Sequence, residues 1–239
     1  MIAQDRAEFT EAFVAAFRPA EPRGRPGWWM FVAAVSVVLA VAAAALIDGA
    51  VGGGGGARAA TPAATMTLIT GPTCTSKAAS FTKAGYHPGT AKQPAAWTTS
   101  AAGGYLGGGC GGGFVSLPLS GHADAYDATR YVLWTFTLSG SALVKKATCQ
   151  LSTFIPGVQS LSAVGAQPAR YLYYAGAYSP AATAAGEYEV NQVKNRGSWV
   201  ADGSVTVAGG EVTVKLTDAG ATRGARAAAA QVRIACTAQ

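Results

Sequence analysis

Residues 204–217 read SVTVAGGEVTVKLT, and this stretch decides the fold class. From Glu211 to Leu216 apolar and polar side chains alternate, the period of a strand with one face on a core and the other in water. Val212, Val214 and Leu216 are expected on the core face, with Thr213 and Lys215 in solvent. Gly209-Gly210 separates this run from the one at 204–207 at hairpin spacing, which predicts a tight primed turn between two paired strands.

The same texture extends outward from this stretch. Short runs rich in β-branched and aromatic residues, divided by Gly, Pro, Ser and Asp, predict further strands at 66–70, 114–117, 131–138, 147–155, 169–174, 186–193 and 229–235. No amphipathic helical pattern of useful length intervenes. Many short strands without helices predict an all-β domain over residues 66–239, an antiparallel β-sandwich or jelly roll.

Upstream, residues 28–47 read WWMFVAAVSVVLAVAAAALI, with nothing more polar than Ser36. A helix of that length spans roughly 30 Å, the hydrocarbon thickness of a bilayer. Arg18, Arg23 and Arg25 precede it, whereas Arg58 is the single basic residue between positions 48 and 76. This asymmetry predicts a single-pass anchor with residues 1–27 cytoplasmic and the C-terminal part extracellular. A cleaved signal peptide is the competing reading; against it stand the length of the apolar stretch and the acidic residues Asp5, Glu8, Glu11 and Glu21 before it. Within residues 1–27, Phe9, Phe13 and Phe17 recur at helical spacing, a stripe suited to the inner leaflet or to a cytoplasmic protein partner. Residues 48–65 contain five consecutive glycines, Gly52 to Gly56, and read as a flexible tether.

The net charge of +6 comes entirely from the part after the anchor, with fourteen Lys and Arg against eight Asp and Glu. A basic exported domain suits anionic surface polymers; its compartment argues against nucleic acid. Cys74, Cys110, Cys149 and Cys236 all lie on the outer side, where disulfides persist. Four cysteines allow three connectivities. We favour Cys74–Cys110 and Cys149–Cys236, because Cys149 and Cys236 lie in or beside strand-like runs that suit neighbours in one sheet. No Cys-x-x-Cys spacing supports zinc. Around Cys110 the passage at 103–113, GGYLGGGCGGG, has backbone freedom that the disulfide would restrain.

Catalytic groupings are scarce. His122, Asp124 and Asp127 share one polar segment between predicted strands and read as a loop without chemistry. Glu187 and Glu189 fall on one face of a strand, and no Gly-x-Ser-x-Gly or His-Glu-x-x-His motif occurs. Neither enzymatic activity nor a cofactor or metal is expected. Aromatic residues are the remaining ligand candidates, through stacking on sugar rings. Trp97, Tyr105 and Tyr126 lie in predicted loops and Tyr178 at a strand exit; these four are the expected ligand-binding residues. Trp134, Phe136 and Trp199 are assigned to the core.

The chain also resembles a known type of module. Residues 110–156, with FVSLPLSG at 114–121, YVLWTF at 131–136 and CQLSTFIP at 149–156, resemble exported actinobacterial β-sandwich modules. ARY at 169–171, GEYEV at 186–190, RGSWV at 196–200, GEVTVKLTD at 210–218 and AAQVRI at 229–234 resemble the golvesin C-terminal-like, or Xly carbohydrate-binding-like, domain. The resemblance implies a galactose-binding-like jelly roll that attaches to cell-wall or surface polysaccharide. Where that pattern has an acid in its final strand, this chain reads Ala229-Ala230-Gln231-Val232-Arg233.

Overall fold

The strand-forming runs assemble, in a computed structural model, into antiparallel sheets over residues 62–87, 97–221 and 224–239, the side chain of Asp202 excepted; these are the described residues. The anchor at 28–47, the phenylalanine stripe and all but the last residues of the tether lie outside them. Among the described residues no helix is long and apolar enough to cross a membrane.

The strands are β1 (Thr65–Thr70), β2 (Ala79–Ala84), β3 (Thr98–Ser100), β4 (Leu106–Gly107), β5 (Cys110–Gly111), β6 (Phe114–Pro118), β7 (Tyr131–Thr137), β8 (Ala147–Phe154), β9 (Ala169–Tyr174), β10 (Gly186–Val190), β11 (Trp199–Val207), β12 (Glu211–Thr217), β13 (Arg226–Ala229) and β14 (Val232–Ala238), with one short helix, α1 (Ser141–Lys145). A four-stranded sheet runs β1-β14-β8-β11 and a five-stranded sheet β10-β9-β12-β7-β2, with smaller sheets β13-β6-β3 and β4-β5. The two large sheets enclose one core, so the architecture is a β-sandwich. Trp134, Phe136, Val214 and Tyr171 come from the five-stranded sheet, and Cys149, Leu151, Val205 and Ile234 from the four-stranded one. Trp134 Nε1 donates to the Ala230 carbonyl at 2.9 Å, so even the indole N–H at the centre is satisfied.

Both disulfides form as favoured, Cys74–Cys110 and Cys149–Cys236. Cys149 and Cys236 face each other directly across the β8–β14 ladder.

Three local expectations are corrected. Gly209 and Gly210 do take the left-handed φ values a tight turn needs, 105° and 77°, but β11 and β12 do not pair. They belong to different sheets, and the turn carries the chain across the sandwich edge, held by Gly209 N–H donating to Val144 and Leu138 N–H donating to Gly210. The inward valines of both strands line the same core from opposite sides, which a hairpin within one sheet would prevent. Second, the run at 229–235 is not one strand. The chain leaves the β13-β6-β3 sheet after Ala229 and joins the four-stranded sheet at Val232.

Third, Thr213 and Lys215 do not face water. Thr213 is fully buried, and Lys215 is only 2% exposed. Loops over the outer face of the five-stranded sheet cover them: Thr213 Oγ1 donates to the Gly176 carbonyl at 2.8 Å. Lys215 Nζ donates to the Tyr178 hydroxyl at 3.0 Å and lies 4.5, 4.6 and 5.2 Å from the ring centres of Tyr131, Tyr178 and Tyr126. Cation–π attraction offsets part of the desolvation of this buried ammonium.

Tyrosine burial gives the fold an alkaline limit. Burial pushes the Tyr174 phenol up to about 12, with Tyr178 and Tyr126 adding to the shift. Burial likewise pushes Tyr171 up, against a hydrogen bond from Gln192. Between pH 10 and 12 an unfolded phenol sheds its proton while these folded ones keep theirs. The folded state then binds more protons, so stability falls as pH rises, by about 1.4 kcal/mol per pH unit for each such phenol. Urea midpoints measured from pH 9 to 12 are expected to fall across this window, and Tyr174→Phe to flatten the slope.

Candidate functional site

A groove of about 640 Å3 opens at one end of the outer face of the four-stranded sheet. β1 contributes Thr67 and Ile69, β14 Arg233, β11 its first residue Trp199, the β1–β2 connection Thr75 to Ala78, and the glycine-rich passage Tyr105 and Gly108. No Asp, Glu or His lines it among the described residues, whereas Lys77 and Arg233 both do.

The two aromatics that line it, Tyr105 and Trp199, form a triad with Phe154. Tyr105 and Trp199 meet edge to face at 5.1 Å, Phe154 and Trp199 at 5.4 Å, and Tyr105 and Phe154 at 5.7 Å. Phe154 and Trp199 are a cross-strand pair. The Arg233 guanidinium carbon sits 4.5 Å from the Trp199 ring centre, a cation–π contact that holds the group at the groove.

The glycine-rich passage is held over the sheet by one side chain. Gln231 is fully buried; its Oε1 accepts from Tyr105 N–H at 2.7 Å, and its Nε2 donates to the Gly113 carbonyl at 2.8 Å and to that of Pro72 at 3.4 Å. A side chain at Gly104 would bring its Cβ within 2.7 Å of that Gln231 oxygen, so glycine is what allows the close approach. The Cys74–Cys110 disulfide ties the same passage to the β1–β2 connection, where Thr73 Oγ1 accepts from Gly113 N–H at 3.0 Å. Thr73 itself has φ 63°, a costly backbone for a β-branched residue, fixed by these neighbours.

Beyond the groove the outer face of the sheet carries a row of hydroxyl side chains. Thr65, Thr237, Thr148 and Thr206 stand in register across its four strands, and the Thr148 and Thr206 hydroxyls are 3.1 Å apart.

The four aromatics expected to bind ligand are not brought together. Tyr105 lines the groove. Tyr126 and Tyr178 lie on the other large sheet, over Lys215. Trp97 lies in the loop before β3, as expected, but is 2% exposed, packs edge to face on Tyr86, and donates from Nε1 to the Gly85 carbonyl at 3.1 Å. Trp199 is the residue the sequence reading missed, having been assigned to the core. The cause is a β-bulge: the β11–β8 register shifts between Ala201 and Gly203, so one extra residue enters β11 there. Without it, Trp199 would share the inward face of Val205 and Val207.

The His122 to Asp127 segment is tied down as a loop. Asp127 accepts from Thr129 N–H and Oγ1 and from Arg130, which hold its carboxyl below the usual range. Buried Asp218 accepts from Asp127 N–H at 2.8 Å and lies 3.2 Å from Arg130 Nε; burial nevertheless raises its pKa. Among the described residues no group of three His, Cys, Asp or Glu side chains is placed to hold a metal. Glu187 is exposed and ion-paired with Arg170.

No family model matches the chain, and no curated protein matches it in sequence. Among solved structures, the K1 cleaved adhesin domain of Lys-gingipain from Porphyromonas gingivalis is 14% identical over 73% of this chain and 98% of that one, with a TM-score of 0.36. A cycloisomaltooligosaccharide glucanotransferase from Paenibacillus sp., complexed with cycloisomaltoheptaose, is 13% identical over 60% of this chain, with a TM-score of 0.28. The isomalto-dextranase of Arthrobacter globiformis T6, complexed with panose, is 17% identical over 66%, with a TM-score of 0.28. The matches span 16% and 23% of the lengths of these two enzymes.

Proposed function

We propose that this chain is a membrane-anchored protein whose extracellular β-sandwich binds cell-wall or surface polysaccharide without transforming it. The observation that carries the reading is the groove: a preassembled wall of Tyr105 and Trp199, packed on Phe154, beside hydroxyl groups and under a loop pinned by Gln231. Apolar ring surface beside polar donors suits the mixed faces of a sugar. Acid–base cleavage of a glycosidic bond uses two carboxylates, and the groove's described lining offers none, so the reading is of attachment. The golvesin-like strand motifs, and the jelly roll that the resemblance implies, support the same reading. The apolar stretch at 28–47 supports the anchor, and the disulfides support an oxidising exterior.

The test is co-sedimentation of the full-length chain with isolated cell walls. Wild type is expected in the pellet, and Trp199→Ala is expected to weaken retention about tenfold, roughly 1.4 kcal/mol. Tyr126→Ala, on the other sheet, is expected to leave it unchanged. Absence of retention on every wall preparation, or equal loss from both variants, overturns the reading.

A further inference from the structure

Resting on that reading of the groove, we propose that its ligand is an acidic polysaccharide, whose carboxylate or phosphate groups are received by Arg233 and Lys77.

The charged groups lining the groove are unbalanced: among the described residues two cations line it and no carboxylate does. Several other cations are committed: Arg130 to Asp127 and Asp218, Arg170 to Glu187, Arg196 to Gln159 and the Val164 carbonyl, Lys215 to its tyrosines. Arg233 and Lys77 line one groove, and among the described residues neither makes an ion pair or a side-chain hydrogen bond. Arg233 stands on the outer face of a central strand, opposite Ile69 on one side and Ser152 on the other, so no neighbouring strand supplies it with a carboxylate. It meets Trp199 through the π face, which uses none of the guanidinium N–H donors.

That arrangement changes what the tryptophan does. The guanidinium occupies a ring face that would otherwise be free for a sugar, so Trp199 acts chiefly as the support that orients Arg233. A guanidinium held in place presents a planar fork matched to carboxylate or phosphate, and loses less freedom on binding than a solvated side chain would. Lys77 adds a second, less constrained positive charge. The polar face carrying Thr65, Thr237, Thr148 and Thr206 extends from the groove, giving a polymer somewhere to continue.

The test measures affinity of the full-length chain in 0.15 M NaCl for polygalacturonate, for poly(glycerol phosphate) and for neutral dextran. At least one anionic polymer is expected to bind tenfold or more tightly than dextran, and the tighter of the two identifies the carboxylate or the phosphate as the source. Arg233→Gln is expected to lose about tenfold on that polymer. Arg233→Lys, which keeps the charge without the fork, is expected to lose most of that, and Lys77→Gln a smaller share. Lys145→Gln removes an equal charge near the opposite end of β8 and is expected to change nothing. Dextran bound as tightly as both anionic polymers ends this proposal while leaving polysaccharide binding standing; weakening by Lys145→Gln equal to that of Arg233→Gln ends it too. No binding to any of the three overturns both.

Discussion

Gln231→Ala is expected to cost about 3 kcal/mol of stability and to abolish the groove's ability to hold a ligand. The substitution leaves the part-buried Tyr105 N–H and the buried Gly113 carbonyl without their side-chain partner. Each stranded buried group costs roughly 1–3 kcal/mol. The loop between Gly103 and Gly113 keeps its disulfide to the β1–β2 connection but loses the clip that sets Tyr105 against Trp199. Gln231→Glu separates the two halves of the clip: its oxygen still accepts from Tyr105, but it has no N–H for Gly113. Its charge is buried, so burial raises its pKa, and the destabilisation is greatest at neutral pH and relieved as pH falls and the carboxyl protonates. Urea unfolding at pH 5 and 7 measures both. A Gln231→Ala variant within 0.5 kcal/mol of wild type would show that the clip is dispensable.

Removal of the Cys149–Cys236 disulfide by paired substitution to alanine is expected to have the largest effect on global stability. The bond closes 87 residues of chain, for which loop-closure entropy of the unfolded state corresponds to about 4–5 kcal/mol. That is a third or more of the stability of a typical domain, and a fall in Tm of roughly 10–20 °C for a domain of this size. Because the two cysteines already face each other in a formed ladder, the folded structure should persist below the lowered Tm. The Cys74–Cys110 pair closes a 36-residue loop at the groove, so its removal should weaken ligand retention as well as stability. Scanning calorimetry of the two double variants tests the contrast. A loss below 1 kcal/mol for the Cys149–Cys236 pair would refute the entropic account.

Much of the sandwich was legible because alternation is a local property. The runs at 169–174 and 211–217 coincide with β9 and β12, since Tyr171, Val212, Val214 and Leu216 had to leave water together. Thr98–Ser100, Leu106–Gly107 and Cys110–Gly111 were not legible, because strands of two or three residues with small side chains carry no period to read. The polar positions Thr213 and Lys215 misled for a different reason. Alternation says that a strand has two unlike faces, but not that the polar one stays open, and here Tyr126 and Tyr178 close it. Half of the groove's aromatic wall was misread as well: Tyr105 was a candidate, whereas Trp199 was taken for core.

The amino-acid sequence by itself determined that the domain is built of antiparallel strands and which apolar residues of its clearest strands, such as Val212, Val214 and Leu216, enter the core, and it favoured the cysteine pairing that forms; each depends on the spacing and type of residues along the chain. Only the tertiary structure decided which sheet each strand joins, where Trp199 points and what Gln231 is for. A single inserted residue between Ala201 and Gly203 turns Trp199 from the core to the groove, and Gln231 acts on Tyr105 across 126 positions of sequence. Bulges and long-range hydrogen bonds of this kind are set by the packing of whole sheets, which no local window of sequence contains.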